Sequence, residues 1–153
     1  MIHGNALNVA HTPQQAEQLL ALGIEIERNL LLSSPIENHA IVAAEHNDAT
    51  MLLYWLAKQK ELFADEAEYV GELYYAAINM VSMMNQYDML SCVMADDKLF
   101  SILENIYSKE DDESSVRLYL RAPGHIGDKS LCARKKELQK TLNARKKELS
   151  SAM

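Results

Sequence analysis

Residues 38–56, NHAIVAAEHNDATMLLYWL, constrain the fold more than any other stretch of the chain. The first half carries small apolar side chains, mostly alanine, which allow a neighbouring helix to approach closely. The second half is bulkier and places Met51 and Trp55 four residues apart, so that they share one helix face. Asp48 stands between the halves and can accept a hydrogen bond from a free N–H at a helix start. The stretch therefore predicts a small-residue helix, a turn and a large-residue helix.

Signals for the start of a helix recur along the rest of the chain. Thr12 is an N-cap candidate followed by Pro13 at the first helical position. Residues 34–37, SPIE, form a capping box, residues 65–68, DEAE, repeat its spacing, and Asp96 can cap a further helix. No stretch favours a run of strands. We therefore predict an all-α fold made of stacked antiparallel helix pairs.

The charge is unevenly distributed and suggests two parts. Residues 1–127 hold 7 Lys/Arg and 19 Asp/Glu, a net charge of −12, whereas residues 128–153 hold 8 Lys/Arg and 3 Asp/Glu, a net charge of +5. We predict a helical-repeat domain over 1–127 and a basic C-terminal helix or tail over 128–153. The acidic body disfavours nucleic acid as the main partner, because it repels phosphates.

The basic tail carries an internal repeat. The hexapeptide ARKKEL occurs at 133–138 and again at 144–149, and the large apolar residues of this region are a few leucines on one narrow helical stripe. Such a stripe buries little apolar area. The sequence therefore predicts a helix that is separately mobile and dispensable for the folding of 1–127. The alternative is a final capping helix that seals the last apolar face of the stack.

Several features point to the compartment. Two cysteines, Cys92 and Cys132, cannot make a disulfide framework, which favours a reducing intracellular environment. The N-terminal residues show no secretory signal, and no apolar run is long enough to span a membrane. We expect a cytoplasmic protein. Delivery of such a chain into a host cell remains open.

The sequence shows no catalytic or metal-binding set of residues. His39 and His46 lie seven residues apart and could share a helix face, but a zinc pair needs i, i+4 spacing and a third ligand. A surface histidine and a turn histidine explain them more simply. The scattered glycines form no phosphate-binding loop, and residues 110–113, EDDE, lack the alternating ligands of a calcium loop. We expect no enzyme activity, no cofactor and no metal.

Two short apolar motifs recur along the chain. The Ala-Ala pair at 43–44 recurs at 76–77, an offset of 33, and the apolar pair at 19–20 recurs at 55–56, an offset of 36. A period of 33 is that of ankyrin repeats, and the pattern over residues 5–95 resembles that family.

The resemblance extends to the order of the elements. Residues 43–56 resemble the ankyrin Ala-Ala, turn and Leu-Leu run, residues 19–25 resemble an outer helix entering a hairpin, and residues 74–79 resemble a third inner helix. The Thr-Pro-Leu-His tetrapeptide of the family is replaced by Asn-His-Ala-Ile at 38–41. A different helical repeat and an irregular helical bundle stay open as alternatives.

The resemblance implies a non-catalytic protein-binding adaptor or regulator. Ankyrin stacks bind partners through a concave face of inner helices and hairpin tips, which here corresponds to Ile24, Glu25, His39, Glu45, His46 and Glu72. The acidic body favours a partner protein with a basic patch. Two alternatives remain: binding of nucleic acid or anionic membrane through the basic tail, and a secreted effector role on host proteins. The repeat pattern also predicts that the core contains Leu20, Ala44, Leu52, Trp55, Leu56 and Ala77.

Overall fold

A computed structural model describes residues 6–30, 37–121 and 129–151. This part of the chain is all-helical, as predicted, and contains no strand. A 3₁₀ turn at Ala6–Val9 precedes eight α-helices. Their bounds are α1 Pro13–Ala21, α2 His39–Glu45, α3 Ala49–Leu62, α4 Ala67–Met84, α5 Tyr87–Ala95, α6 Asp97–Lys109, α7 Glu113–Arg121 and α8 Lys129–Ser151.

The chain forms two compact units, unit 1 over residues 1–80 and unit 2 over residues 81–153. In unit 1, α2 packs on α3, and α1 packs on α3 and on the 3₁₀ turn. In unit 2, α5 packs on α6, and α8 packs on α5, α6 and α7. The predicted boundary between 127 and 128 lies within 122–128, outside the described residues. Independent folding of 1–127 therefore stays a prediction.

The helix caps are largely those that the sequence predicts. The Thr12 side chain accepts from the Gln15 N–H and starts α1, and Asp48 accepts from the Met51 N–H and starts α3. The predicted start of α2 in the 34–37 box is wrong. Glu37 lies outside the helix, and the cap is Asn38, whose Oδ1 accepts from the Ala40 N–H at 2.9 Å.

Two asparagines make the turns between consecutive helices. Asn47, between α2 and α3, has φ 55°, and Asn85, between α4 and α5, has φ 52°. Asparagine tolerates this left-handed backbone better than most residues, because its short amide can hydrogen-bond locally. Both turns therefore use an asparagine in the same left-handed backbone conformation.

The predicted core is correct except at one position. Ala44, Leu52, Trp55, Leu56 and Ala77 are all buried. Leu20 is only half-buried, so its prediction as a core residue is wrong. The reason is that α1 is a short helix whose fully buried side chain is Ala16 instead.

We expect Leu56→Ala to lower the free energy of unfolding of unit 1 by about 2–5 kcal/mol, because the substitution leaves a cavity in a packed core. Urea unfolding followed by the fluorescence of Trp55, the single tryptophan of the chain, measures the loss. Leu53→Ala is the matched control, since Leu53 lies on the same helix and is 39 % exposed. A loss under about half a kcal/mol for Leu56→Ala would show that Leu56 is not a core residue.

Helix α8 packs against the other helices of unit 2 through apolar and polar contacts. Leu138 and Leu142 are buried. Arg134 donates to the Met94 carbonyl oxygen, and Arg145 donates to the Glu110 carbonyl oxygen. These contacts favour the alternative of a capping helix over a separately mobile tail.

Candidate binding cleft on unit 1

An open cleft lies beside the 3₁₀ turn, against α2 and α3, and has a volume of about 390 Å³. This is within the range of small-ligand and side-chain pockets. Its lining combines apolar side chains with three histidines, an asparagine and an aspartate. The lining residues are Leu7, Asn8, Val9, Ala10, His11, His39, Val42, Ala43, His46, Asp48, Met51 and Trp55.

His39 forms the inner polar wall of the cleft and is almost fully buried, at 2 % exposed. Its Nε2 accepts from the Glu27 N–H at 3.0 Å, which assigns the ring proton to Nδ1, 2.5 Å from Asn8 Oδ1. The ring also packs against Trp55, with 4.7 Å between centroids. Burial lowers the pKa of His39 to about 4. The interpretation of His39 as a surface histidine is therefore wrong: the ring is neutral, and both nitrogens are engaged within the fold.

The neutral state of His39 predicts a loss of stability in acid. Because the folded pKa of about 4 lies below the ordinary value of 6.5, protons favour the unfolded chain. The contribution of neutral His39 to the free energy of unfolding is complete above pH 6.5 and is lost as the pH drops towards 4. We expect the difference in unfolding free energy between wild type and His39→Gln to shrink by about 2 kcal/mol from pH 7 to about pH 5. Urea unfolding at both pH values measures it.

His46→Gln is the matched control for this experiment, because His46 is exposed at the end of α2. It should keep the wild-type response to acid. An equal response in wild type and His39→Gln would contradict a buried neutral His39.

A buried polar network holds the extended segment before α2 against the helices. Asn38 Nδ2 donates to the Glu27 carbonyl oxygen at 2.8 Å and to Gln59 Oε1 at 2.8 Å. Gln59 Nε2 donates back to Asn38 Oδ1 at 3.0 Å, and the Tyr69 hydroxyl donates to Gln59 Oε1 at 2.7 Å. Asn38 and Gln59 are both fully buried. The sequence analysis missed this network, although a glutamine on the Trp55 and Leu56 face of α3 was a signal for it.

Arg28 adds a second attachment of the same segment. Its guanidinium lies 4.4 Å from the Phe63 ring centroid and 4.3 Å from that of Tyr69. It also donates to Glu66 Oε1 at 2.6 Å. Cation–π contacts of this kind add to the ion pair, so the segment is positioned by side chains from α3, α4 and the turn between them.

The structure does not bring the six predicted site residues to one place. His39 and His46 line the cleft, with His39 inside and His46 exposed at its edge. Glu72 lies in a separate groove with Asp65, Glu66, Glu68 and Tyr69. Ile24 is half-buried and Glu25 is exposed on the extended segment, and neither lines the cleft. A role of these residues in partner binding stays a prediction.

Glu45, the remaining predicted site residue, interacts with Glu37. Desolvation by burial, together with a hydrogen bond and charge repulsion from Glu45, raises the pKa of the Glu37 carboxyl to about 7. Because the unfolded chain releases this proton more readily than the folded one, stability at this corner of unit 1 falls as the pH rises from about 4.5 towards about 7.

In the described ranges, no group of three or more histidine, cysteine, aspartate or glutamate side chains is arranged to hold a metal ion. Within the same ranges, no helix is long and apolar enough to cross a membrane. Comparisons with family models, with curated proteins and with solved structures found no match to this chain.

Proposed function

We propose that the chain is a non-catalytic protein-binding module, and that unit 1 binds its partner at the cleft lined by His46, Asp48 and Trp55. The observation that carries this proposal is that buried polar groups of the cleft are already hydrogen-bonded within the fold. His39 uses both ring nitrogens inside the fold, and one carboxylate oxygen of Asp48 caps α3. What remains is an apolar floor with a polar rim, which suits the recognition of a side chain better than chemistry on a substrate.

The charge of unit 1 favours a basic partner. Residues 1–80 hold 3 Lys/Arg and 11 Asp/Glu, a net charge of −8. Arg28 and Lys58, two of the three cations, are already paired with Glu66 and Glu17. A partner segment that places an apolar side chain in the cleft and cations around it would be complementary in shape and in charge.

An ankyrin-like arrangement of unit 1 is part of this proposal. The N-caps Thr12 and Asp48 lie 36 residues apart, the same offset as the apolar pairs that follow them. Each cap accepts a hydrogen bond from the N–H three residues later. A concave face built from the 3₁₀ turn and α2 would include the cleft.

The test is site-specific photo-crosslinking of the full chain in its native cell. A photoreactive side chain at position 46 should give a discrete crosslinked protein, and one at position 109, in unit 2, should not. His46→Arg adds a cation at the cleft and should abolish the crosslink to a basic partner from a probe at position 11, which also lines the cleft. Thr50→Arg adds the same charge at an exposed position outside the lining and should leave it unchanged.

Equal crosslinking from positions 46 and 109, or equal loss with both arginine variants, would contradict binding at the cleft. A crosslinked partner that is acidic in its contact region would contradict the charge argument alone.

A further inference from the structure

The two copies of the ARKKEL repeat lie within one helix. Helix α8 has 23 residues and includes both 133–138 and 144–149. Eleven residues correspond to just over three helical turns, so equivalent positions of the two copies lie on the same side of the helix. Each repeat position therefore presents two side chains in one direction.

The arginine position of the repeat is directed into unit 2. Arg134 donates to the Met94 carbonyl oxygen and to Asp97, and Arg145 donates to the Glu110 carbonyl oxygen. Met94 and Glu110 lie at the ends of α5 and α6, where carbonyl groups lack a helical partner. The arginines therefore cap neighbouring helices and fix how α8 is rotated about its axis.

The second lysine of each copy is directed to solvent. Lys136 and Lys147 are exposed, and Lys140, one turn after Lys136, is exposed on the same side. These three residues form the lysine stripe, which extends over about 16 Å at 1.5 Å per residue. No carboxylate in the described part of the chain forms an ion pair with any of the three.

Neither glutamate of the repeat forms an ion pair with the stripe, although Glu137 lies one turn before Lys140. Glu137 and Glu148 directly follow Lys136 and Lys147 and are therefore rotated about 100° from them around the helix. Glu148 is also paired with Arg145 at 2.8 Å. Charge is also separated between the units: residues 81–153 hold 12 Lys/Arg and 11 Asp/Glu, a net charge of +1, whereas unit 1 carries −8. The acidic charge that is expected to repel the phosphates of nucleic acid therefore lies mainly in unit 1.

We propose that the lysine stripe binds the phosphate backbone of duplex nucleic acid without reading its sequence. Lysine offers a compact charge on a flexible stem, which suits phosphate contacts. A membrane is a poorer partner, because Leu138 and Leu142 are buried in unit 2, and the side chains described on α8 leave no exposed apolar face to enter lipid. A single strand is also a poorer partner, because α8 contains no aromatic side chain on which bases could stack.

The test measures fluorescence anisotropy of a labelled duplex of about 20 base pairs, titrated with the full chain over a range of salt concentrations. The triple variant K136Q/K140Q/K147Q should bind at least about tenfold more weakly at low salt, and its slope of log K against log salt should be smaller by about 2 to 3. The matched control K60Q/K98Q/K109Q removes the same charge at exposed positions outside α8 and should bind like wild type.

Circular dichroism and thermal melting must be the same for both triple variants, so that the comparison concerns binding and not folding. Absence of duplex binding by the wild-type chain, salt-independent binding, or an equal loss in the control variant would overturn the proposal. Stripe-dependent binding of phosphatidylserine vesicles or of polyglutamate, without binding of the duplex, would overturn it in favour of lipid or of an acidic polypeptide.

Discussion

Asn38→Ala is expected to lower the free energy of unfolding of unit 1 by about 3–5 kcal/mol. The substitution removes the N-cap of α2, and it also removes the partner of Gln59 Nε2 and the donor to the Glu27 carbonyl oxygen. Buried polar groups left without partners cost more than the bonds themselves contribute. Urea unfolding followed by Trp55 fluorescence measures the loss.

Asn38→Ser separates the contribution of the α2 N-cap from that of the buried hydrogen bonds to Gln59 and Glu27. Serine is a good N-cap but cannot span to Gln59, so this variant should recover about 1 kcal/mol relative to Asn38→Ala. Asn143→Ala, which removes an exposed asparagine from α8, is the control and should change the Trp55 transition by less than about half a kcal/mol. Similar small losses for Asn38→Ala and Asn143→Ala would contradict a cooperative buried network.

Deletion of residues 128–153 is expected to abolish the cooperative unfolding of unit 2 while leaving that of unit 1 in place. The deletion removes the buried Leu138 and Leu142, and it uncovers the apolar faces of α5, α6 and α7. Each buried leucine contributes about 2–5 kcal/mol, and a whole domain is stable by only about 5–15 kcal/mol. The helical circular dichroism signal should fall by more than the fraction of the helical residues that belongs to α8.

The single tryptophan, Trp55, lies in unit 1, so its fluorescence transition should survive the deletion. Leu138→Ala/Leu142→Ala in the full chain should destabilise unit 2 without removing charge. Lys136→Ala/Lys140→Ala changes two exposed residues of the same helix and is the matched control. A truncated chain that keeps the melting temperature of the full chain would instead support the mobile, dispensable tail that the sequence predicts.

The sequence determined the local structure where the signals are short-range. Thr12 and Asp48 were predictable as caps, because a side-chain oxygen needs only the N–H three residues later. Trp55 and Leu56 were predictable as core residues, because helical periodicity places them on one apolar face. The basic helix was predictable from its repeat, and the all-α class followed from the same kind of signal.

Tertiary structure alone decided the positions that depend on residues far apart in sequence. His39 was interpreted as a surface histidine, yet it and the neighbouring Asn38 are buried, because Glu27, Gln59 and Asn8 supply their hydrogen bonds from 11, 21 and 31 residues away. No local pattern contains those partners. Likewise Leu138 and Leu142 resemble a sparse stripe in sequence, yet they are buried, because three helices of unit 2 meet around α8. Burial is a property of the assembled neighbours, whereas capping and periodicity belong to the segment itself.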